Sequence, residues 1–144
     1  MNNKYWKDEK TGLYWELKTF GNMRTEYSIV EAKEYVDELN TNKYGDFDDW
    51  RLPTIEELAS ICPIEPYPYA GNHRAWKAWY EGVREKANDG IFIVQELASN
   101  VGKDGWYWSS TKKSDTEYYL LNFKEGNTNF HNFDQSFYVR CVRG

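Results

Sequence analysis

Asp49-Trp50-Arg51-Leu52-Pro53-Thr54-Ile55-Glu56-Glu57-Leu58 is the stretch from which the rest of the chain can be read. Pro53 fixes its own φ and disfavours helix in the residue before it, so Asp49 to Leu52 is a loop and a helix begins just beyond. Thr54 and Glu57 stand at capping-box spacing, in which each side chain accepts a hydrogen bond from the other residue's orphan backbone N–H. Ile55, Leu58, Ala59 and Cys62 then mark one apolar face, and Pro63 stops the helix. Arg51 lies between Trp50 and Leu52. Its fixed fork of donors reads as a structural pin on loop carbonyls or on a carboxylate such as Glu57, with Trp50 as apolar cover; the alternative is that Arg51 holds an anionic ligand.

Upstream, Ser28 and Glu31 repeat the capping box, and Ile29, Ala32, Val36 and Leu39 recur at helical spacing, which predicts a first helix ahead of the loop. Before it, Leu13, Trp15 and Leu17 alternate with Tyr14, Glu16 and Lys18, the period-two pattern of a half-buried strand ended by Gly21-Asn22. Downstream, Pro63, Pro66 and Pro68 enforce an extended connection. His73 to Ala87 then reads as an amphipathic helix with Trp76, Trp79, Tyr80, Val83 and Ala87 on one side, docked on its own domain rather than on a partner. Ile91 to Leu97 is short and apolar, and periodicity does not separate strand from helix there.

After Gly105 the pattern becomes β: WYWSS, EYYLLNF, a turn at Lys124 to Asn127, TNFHNF, a turn near Asp134-Gln135, and FYVRCVR. The short turns predict a three-stranded antiparallel meander. Trp106 and Trp108 alternate with Tyr107, so the tryptophans are assigned to the core and Tyr107 to the opposite face. In the next strand Tyr119, Leu121 and Phe123 are assigned inward and Tyr118, Leu120 and Asn122 outward. Asn is depleted in strands because its side chain competes with the backbone, so Asn122, Asn127, Asn129 and Asn132 around one hairpin ask for a reason. Two readings stand: solvated edge and turn residues, or a ligand-binding face of Tyr107, Tyr118, Asn122, Asn127, Asn129, His131 and Asn132. Amides beside Tyr rings suit sugar hydroxyls or the wet contacts of a protein interface.

The blocks TGLYWEL (Thr11 to Leu17), DWRLPTIEEL, WYWSST (Trp106 to Thr111) and YVRCVRG, in this order, resemble the Lcl C-terminal domain family, the globular head of a bacterial collagen-like adhesin. The resemblance covers almost the whole chain, with a divergent insertion at about Pro63 to Lys103. It implies a single α+β domain, 1–144, of C-type-lectin-like fold, with two main helices plus the inserted one on short antiparallel sheets and the N- and C-terminal strands close together. It implies a non-enzymatic recognition role, with Trp50, Arg51, Trp106, Trp108, Arg140 and Cys141 as structural residues. Family members often carry a first-helix cysteine that would bridge to Cys141, but Val36 stands at that position here. A Cys62 to Cys141 bridge requires Cα atoms within about 7 Å; two free buried thiols in a reducing compartment is the preferred reading.

Composition bounds the function. A chain of 144 residues suits one hydrophobic core, and seven Trp, twelve Tyr and seven Phe supply both core area and polar-edged binding surface. A net charge of −5 speaks against nucleic acid, whose phosphates need a basic patch. No run approaches the roughly 20 apolar residues of a membrane helix, and no leader precedes Thr11, so the chain as written is expected to be soluble and cytoplasmic, or secreted or surface-bound if it is trimmed from a longer protein. With only His73 and His131 and no nucleophile motif, no catalytic residue, metal or cofactor is expected. Formylglycine-generating enzymes, which share the implied fold, use paired cysteines for copper, whereas Cys62 and Cys141 lie in different elements. Calcium-lectin signatures are absent, Glu65-Pro66-Tyr67 having an aromatic where an oxygen ligand belongs, and Asp46 to Asp49 reads as a solvated turn.

The expected partner is therefore a glycan, glycosaminoglycan included, or another protein. A glycosaminoglycan would need a local basic strip such as Lys103, Lys112 and Lys113. A protein partner would make this an interaction module of an intracellular, phage or defence assembly, or a variable receptor-binding protein of a diversity-generating retroelement. Oligomeric state is not legible in the sequence.

Overall fold

The computed structural model describes residues 3–19, 21–68, 73–88, 90–101 and 105–144. The chain is α+β, with three α-helices and two small antiparallel sheets among these residues. Strand β1 (Tyr5–Lys7) pairs with β2 (Tyr14–Glu16), and β2 pairs on its other side with β6 (Val142–Arg143), so the first and last strands share one sheet as expected. β1 was not read from the sequence, because three residues carry no periodicity. Its turn is built by Asp8, whose carboxylate accepts from the Lys10 N–H and the Thr11 hydroxyl, both at 3.0 Å.

Helix α1 (Ile29–Thr41) and helix α2 (Ile55–Ser60) begin with the predicted capping boxes, at Ser28/Glu31 and Thr54/Glu57. α1 buries Ile29, Ala32 and Leu39. The inserted helix α3 (His73–Val83) continues as a 3-10 turn to Lys86, and Ile91 to Leu97 is neither strand nor α-helix but irregular chain, buried at Ile91, Phe92, Ile93 and Leu97 and closed by a 3-10 turn. α3 docks on its own domain: the Trp76 indole donates to the Glu125 carbonyl at 3.0 Å, and Trp79 meets the rings of Tyr67 and Phe92. Gly126, at φ +69°, permits this approach, since a Cβ there would lie 2.9 Å from Phe92 and 3.0 Å from Trp79.

The meander is formed by β3 (Trp106–Lys112), β4 (Glu117–Asn122) and β5 (Asn127–Asn132), in that order. The final FYVRCVR segment is not one continuous strand. Phe137 bridges Tyr27, Tyr138 makes a parallel bridge to Tyr107, and only Val142–Arg143 pairs as a strand, with β2. The segment thus runs along the outer edge of β3 and then joins the other sheet. Parallel pairing needs a crossover longer than a hairpin turn, which the distant position of this segment allows.

One face of the meander packs Tyr107, Leu121 and Phe123 with Trp15, Leu58, Ile61, Ile91, Ile93 and Leu97. The other packs Trp108, Tyr118 and Leu120 with Ile29, Ala32, Leu39, Trp50, Val139 and Cys141. A sheet covered on both sides buries both sets of alternate residues, so the expected outward face of β4 does not exist: Tyr118 and Leu120 are buried, while Tyr119 is only half-buried.

Candidate functional site

The predicted ligand residues do not form one surface. Tyr107 is 1% exposed and packs on Phe123 and Tyr138, at ring distances of 5.3 and 5.4 Å. Tyr118 stands edge-on to Trp108 in the core. Asn122 is buried, and its carbonyl oxygen accepts from the Lys124 and Glu125 N–H groups at 2.9 and 3.0 Å, which shapes the turn after β4. Asn127 is half-buried where β5 meets Tyr67. Asn129 is half-buried, and His131 and Asn132 are exposed on the strand beyond. Lys103 of the proposed basic strip lies outside the described residues.

Trp50 is 2% exposed, its indole donating to the Tyr44 carbonyl at 2.9 Å. Arg51 makes the expected two-pronged contact with Glu57, at 2.7 and 2.8 Å, while its backbone exchanges two hydrogen bonds with Val142. Those hydrogen bonds hold the Glu57 carboxyl below its ordinary range, against the opposing effect of partial burial. Trp108 is fully buried with its indole on the Tyr27 carbonyl at 2.7 Å, and Trp106 is half-buried against the same cluster. Arg140 is fully buried and donates to the Glu16 carbonyl at 2.5 Å and to both oxygens of Asn100. Asp46 and Asp48 are exposed, and Asp49 pairs with Arg143 at 2.6 Å.

The sequence reading placed Glu16 and Lys18 on a solvated face, and the structure corrects this. Glu16 is 1% and Lys18 6% exposed. The Lys18 ammonium lies 3.2 Å from Glu16, donates to the Tyr35 hydroxyl at 3.1 Å and sits over the Tyr35 ring. The Tyr35 hydroxyl donates to the same Glu16 oxygen, and the other oxygen takes the Cys141 N–H at 2.9 Å. Burial pulls Lys18 below its ordinary value and Glu16 opposes that; burial and then Glu16 push Tyr35 and Cys141 upward. Cys62 and Cys141 are unbridged, and burial raises Cys62 too, so neither is poised as a thiolate.

The concave feature nearest the DWRLP block is an open groove of about 640 Å³ lined by Lys33, Val36, Asp37, Arg51, Leu52, Thr54 and Ser110. Each wall follows from an element already described. α1 contributes one turn of its outer side, the Arg51–Glu57 pair fixes the loop, and the Ser110 N–H ties β3 to the Pro53 carbonyl at 2.7 Å. Lys33 and Lys112 lie over the Tyr118 ring, each ammonium 5.8 Å from its centroid, which sets two cations beside the groove. On the other flank of α1 a separate acidic groove gathers Glu31, Glu34 and Glu38 with Asn22, Tyr27 and Tyr35. Among the described residues no group of three or more His, Cys, Asp or Glu side chains is assembled for a metal ion, and no helix is long and apolar enough to cross a membrane.

The chain is thus a mixed α+β domain whose end strands meet in one sheet and whose pinned DWRLP loop walls a shallow groove. The chain belongs to the Lcl C-terminal domain family, which matches residues 4–143. No curated protein matches the chain.

Proposed function

We propose that this chain is a non-enzymatic recognition module that binds carbohydrate in an adhesin-like role, through the groove between α1 and the DWRLP loop. The observation that carries the reading is the composition of that groove: an apolar floor of Val36 and Leu52 beneath the polar groups of Lys33, Asp37, Thr54 and Ser110. Sugars offer hydroxyls for such groups and C–H faces for such a floor, and pockets of this size are common for small ligands. The net negative charge does not oppose an acidic glycan here, because the α1 glutamates gather on the opposite flank while Lys33 and Lys112 border this one.

The test is a glycan array followed by calorimetry on the hits, with Lys33→Ala and Asp37→Ala beside the wild type. Both residues are exposed, so the variants should melt with the wild type while binding falls at least about tenfold, the loss of about 1.4 kcal/mol. Undiminished binding in both variants moves the site elsewhere. A blank array together with a stoichiometric protein partner would replace carbohydrate by protein as the ligand.

A further inference from the structure

The groove between α1 and the DWRLP loop carries charges of both signs that are not spent on each other. Lys33 and Asp37 stand one turn apart on α1 and line the same groove, with about 5–6 Å between Cβ atoms at that spacing. Helical ion pairs favour the acidic residue first, and here the order is reversed. The Lys33 ammonium lies over the Tyr118 ring instead, 5.8 Å from its centroid. Among the described residues the Asp37 carboxylate meets no cation and accepts no hydrogen bond. Arg51, the remaining cation of the lining, is already taken by both oxygens of Glu57. A ligand entering the groove therefore finds one exposed ammonium and one exposed carboxylate, each without an opposite charge, beside the apolar floor of Val36 and Leu52.

We propose that the groove selects zwitterionic glycans, chains in which a free amino sugar adjoins a carboxylate-bearing sugar, with Asp37 taking the ammonium and Lys33 the carboxylate. This rests on the reading of the groove as a carbohydrate site and names the class of carbohydrate. A neutral sugar leaves both charges to water, and a polyanion sets its own charge against Asp37, so both competitors are penalised by the same pair of residues. A ligand of both signs forms a charge-assisted hydrogen bond at each, the stronger kind. Lys112, on the same Tyr118 ring at 5.8 Å, puts a second cation at the Lys33 side and leaves Asp37 as the anionic end.

The test compares two probes that differ by one group: an oligosaccharide of alternating glucuronate and N-acetylglucosamine, and the same chain after N-deacetylation, in slightly acidic buffer where the freed amines are protonated. By calorimetry the deacetylated chain should bind the wild type at least about fivefold more tightly. Asp37→Asn should abolish that preference, and Lys33→Gln should weaken both probes. Glu34→Gln removes the same charge from the opposite flank of α1 and should keep the preference. Equal affinity of the wild type for the two probes overturns the proposal. So does a preference that survives Asp37→Asn or falls as far in Glu34→Gln, since the net charge of −5 would then be attracting any cation. In each of these cases, binding of both probes that falls with Lys33→Gln leaves the carbohydrate reading standing. No binding of either probe, together with a blank glycan array, removes that reading and this inference with it.

Discussion

The side-chain amide of Asn40 holds the backbone of Trp50 by both ends, donating to its carbonyl at 2.9 Å and accepting from its N–H at 2.7 Å. The last turn of α1 is thereby joined to the start of the DWRLP loop, and the groove between them inherits a fixed width. Asn40→Ala leaves two backbone groups of a buried residue without partners and should cost about 2–4 kcal/mol. Asn40→Asp keeps the acceptor and should cost less. Urea denaturation of both variants checks this, and equal losses would mean that the donated bond contributes nothing.

The Arg51–Glu57 pair predicts a dependence on acid. The folded-state value of Glu57 is depressed, chiefly by its hydrogen bonds to Arg51, so its contribution is fully present above the unfolded carboxylate value of about 4.3 and is lost as the pH falls through the lower folded value. Glu57→Gln retains a group able to cap Thr54 but not the charge. For a partly exposed pair the cost at neutral pH should stay below about 1 kcal/mol. The variant should lose less stability than the wild type between pH 6 and pH 3, measured roughly by paired urea melts. Parallel losses would remove Glu57 from the account.

Gly105 stands where the ring of Tyr138 crosses the start of β3, and a Cβ at this position would run into that ring. Gly105→Ala should destabilise by about 1–3 kcal/mol, the cost of forcing a buried aromatic to shift. Tyr138→Leu in the same background should recover part of the loss. A melting temperature unchanged by Gly105→Ala would show that the ring moves freely.

Thiol titration of the unfolded, never-reduced protein should give two thiols, from Cys62 and Cys141. Val36 packs on the cluster that contains Cys141. Val36→Cys, oxidised in air, should therefore leave one titratable thiol, that of Cys62, with a bridge of about 2–4 kcal/mol in the folded protein. Three thiols after oxidation would place positions 36 and 141 too far apart.

Elements with local signatures were legible. Ser28/Glu31 and Thr54/Glu57 marked both helix starts, because a capping box satisfies its donors within four residues. The β3–β4–β5 meander followed from its short turns. β1 was not legible, since its stability comes from β2 and not from its own three residues. The exposure of β4 was misread for a different reason. Alternation reports which residues share a face, but says nothing about whether α1 and the Val139–Cys141 segment cover the second one. Tyr118 suits a wet surface or a core equally well by composition. Glu16 and Lys18 were misread for the same reason: the partners that make their burial tolerable, Tyr35, Asn100, Arg140 and Cys141, are scattered across the chain.

The run from Phe137 to Arg143 bridges Tyr27, lies along β3 through Tyr138, sends Arg140 to a carbonyl 124 residues earlier and completes the first sheet. Contacts at such separation form late, after the entropy of closing a very large loop has been met. Both sheets therefore wait on the same short segment, and neither can mature first as a separate unit. In kinetic terms the domain should fold slowly and in one step, with Arg140 substitutions slowing folding as well as speeding unfolding if this closure is the rate-limiting event.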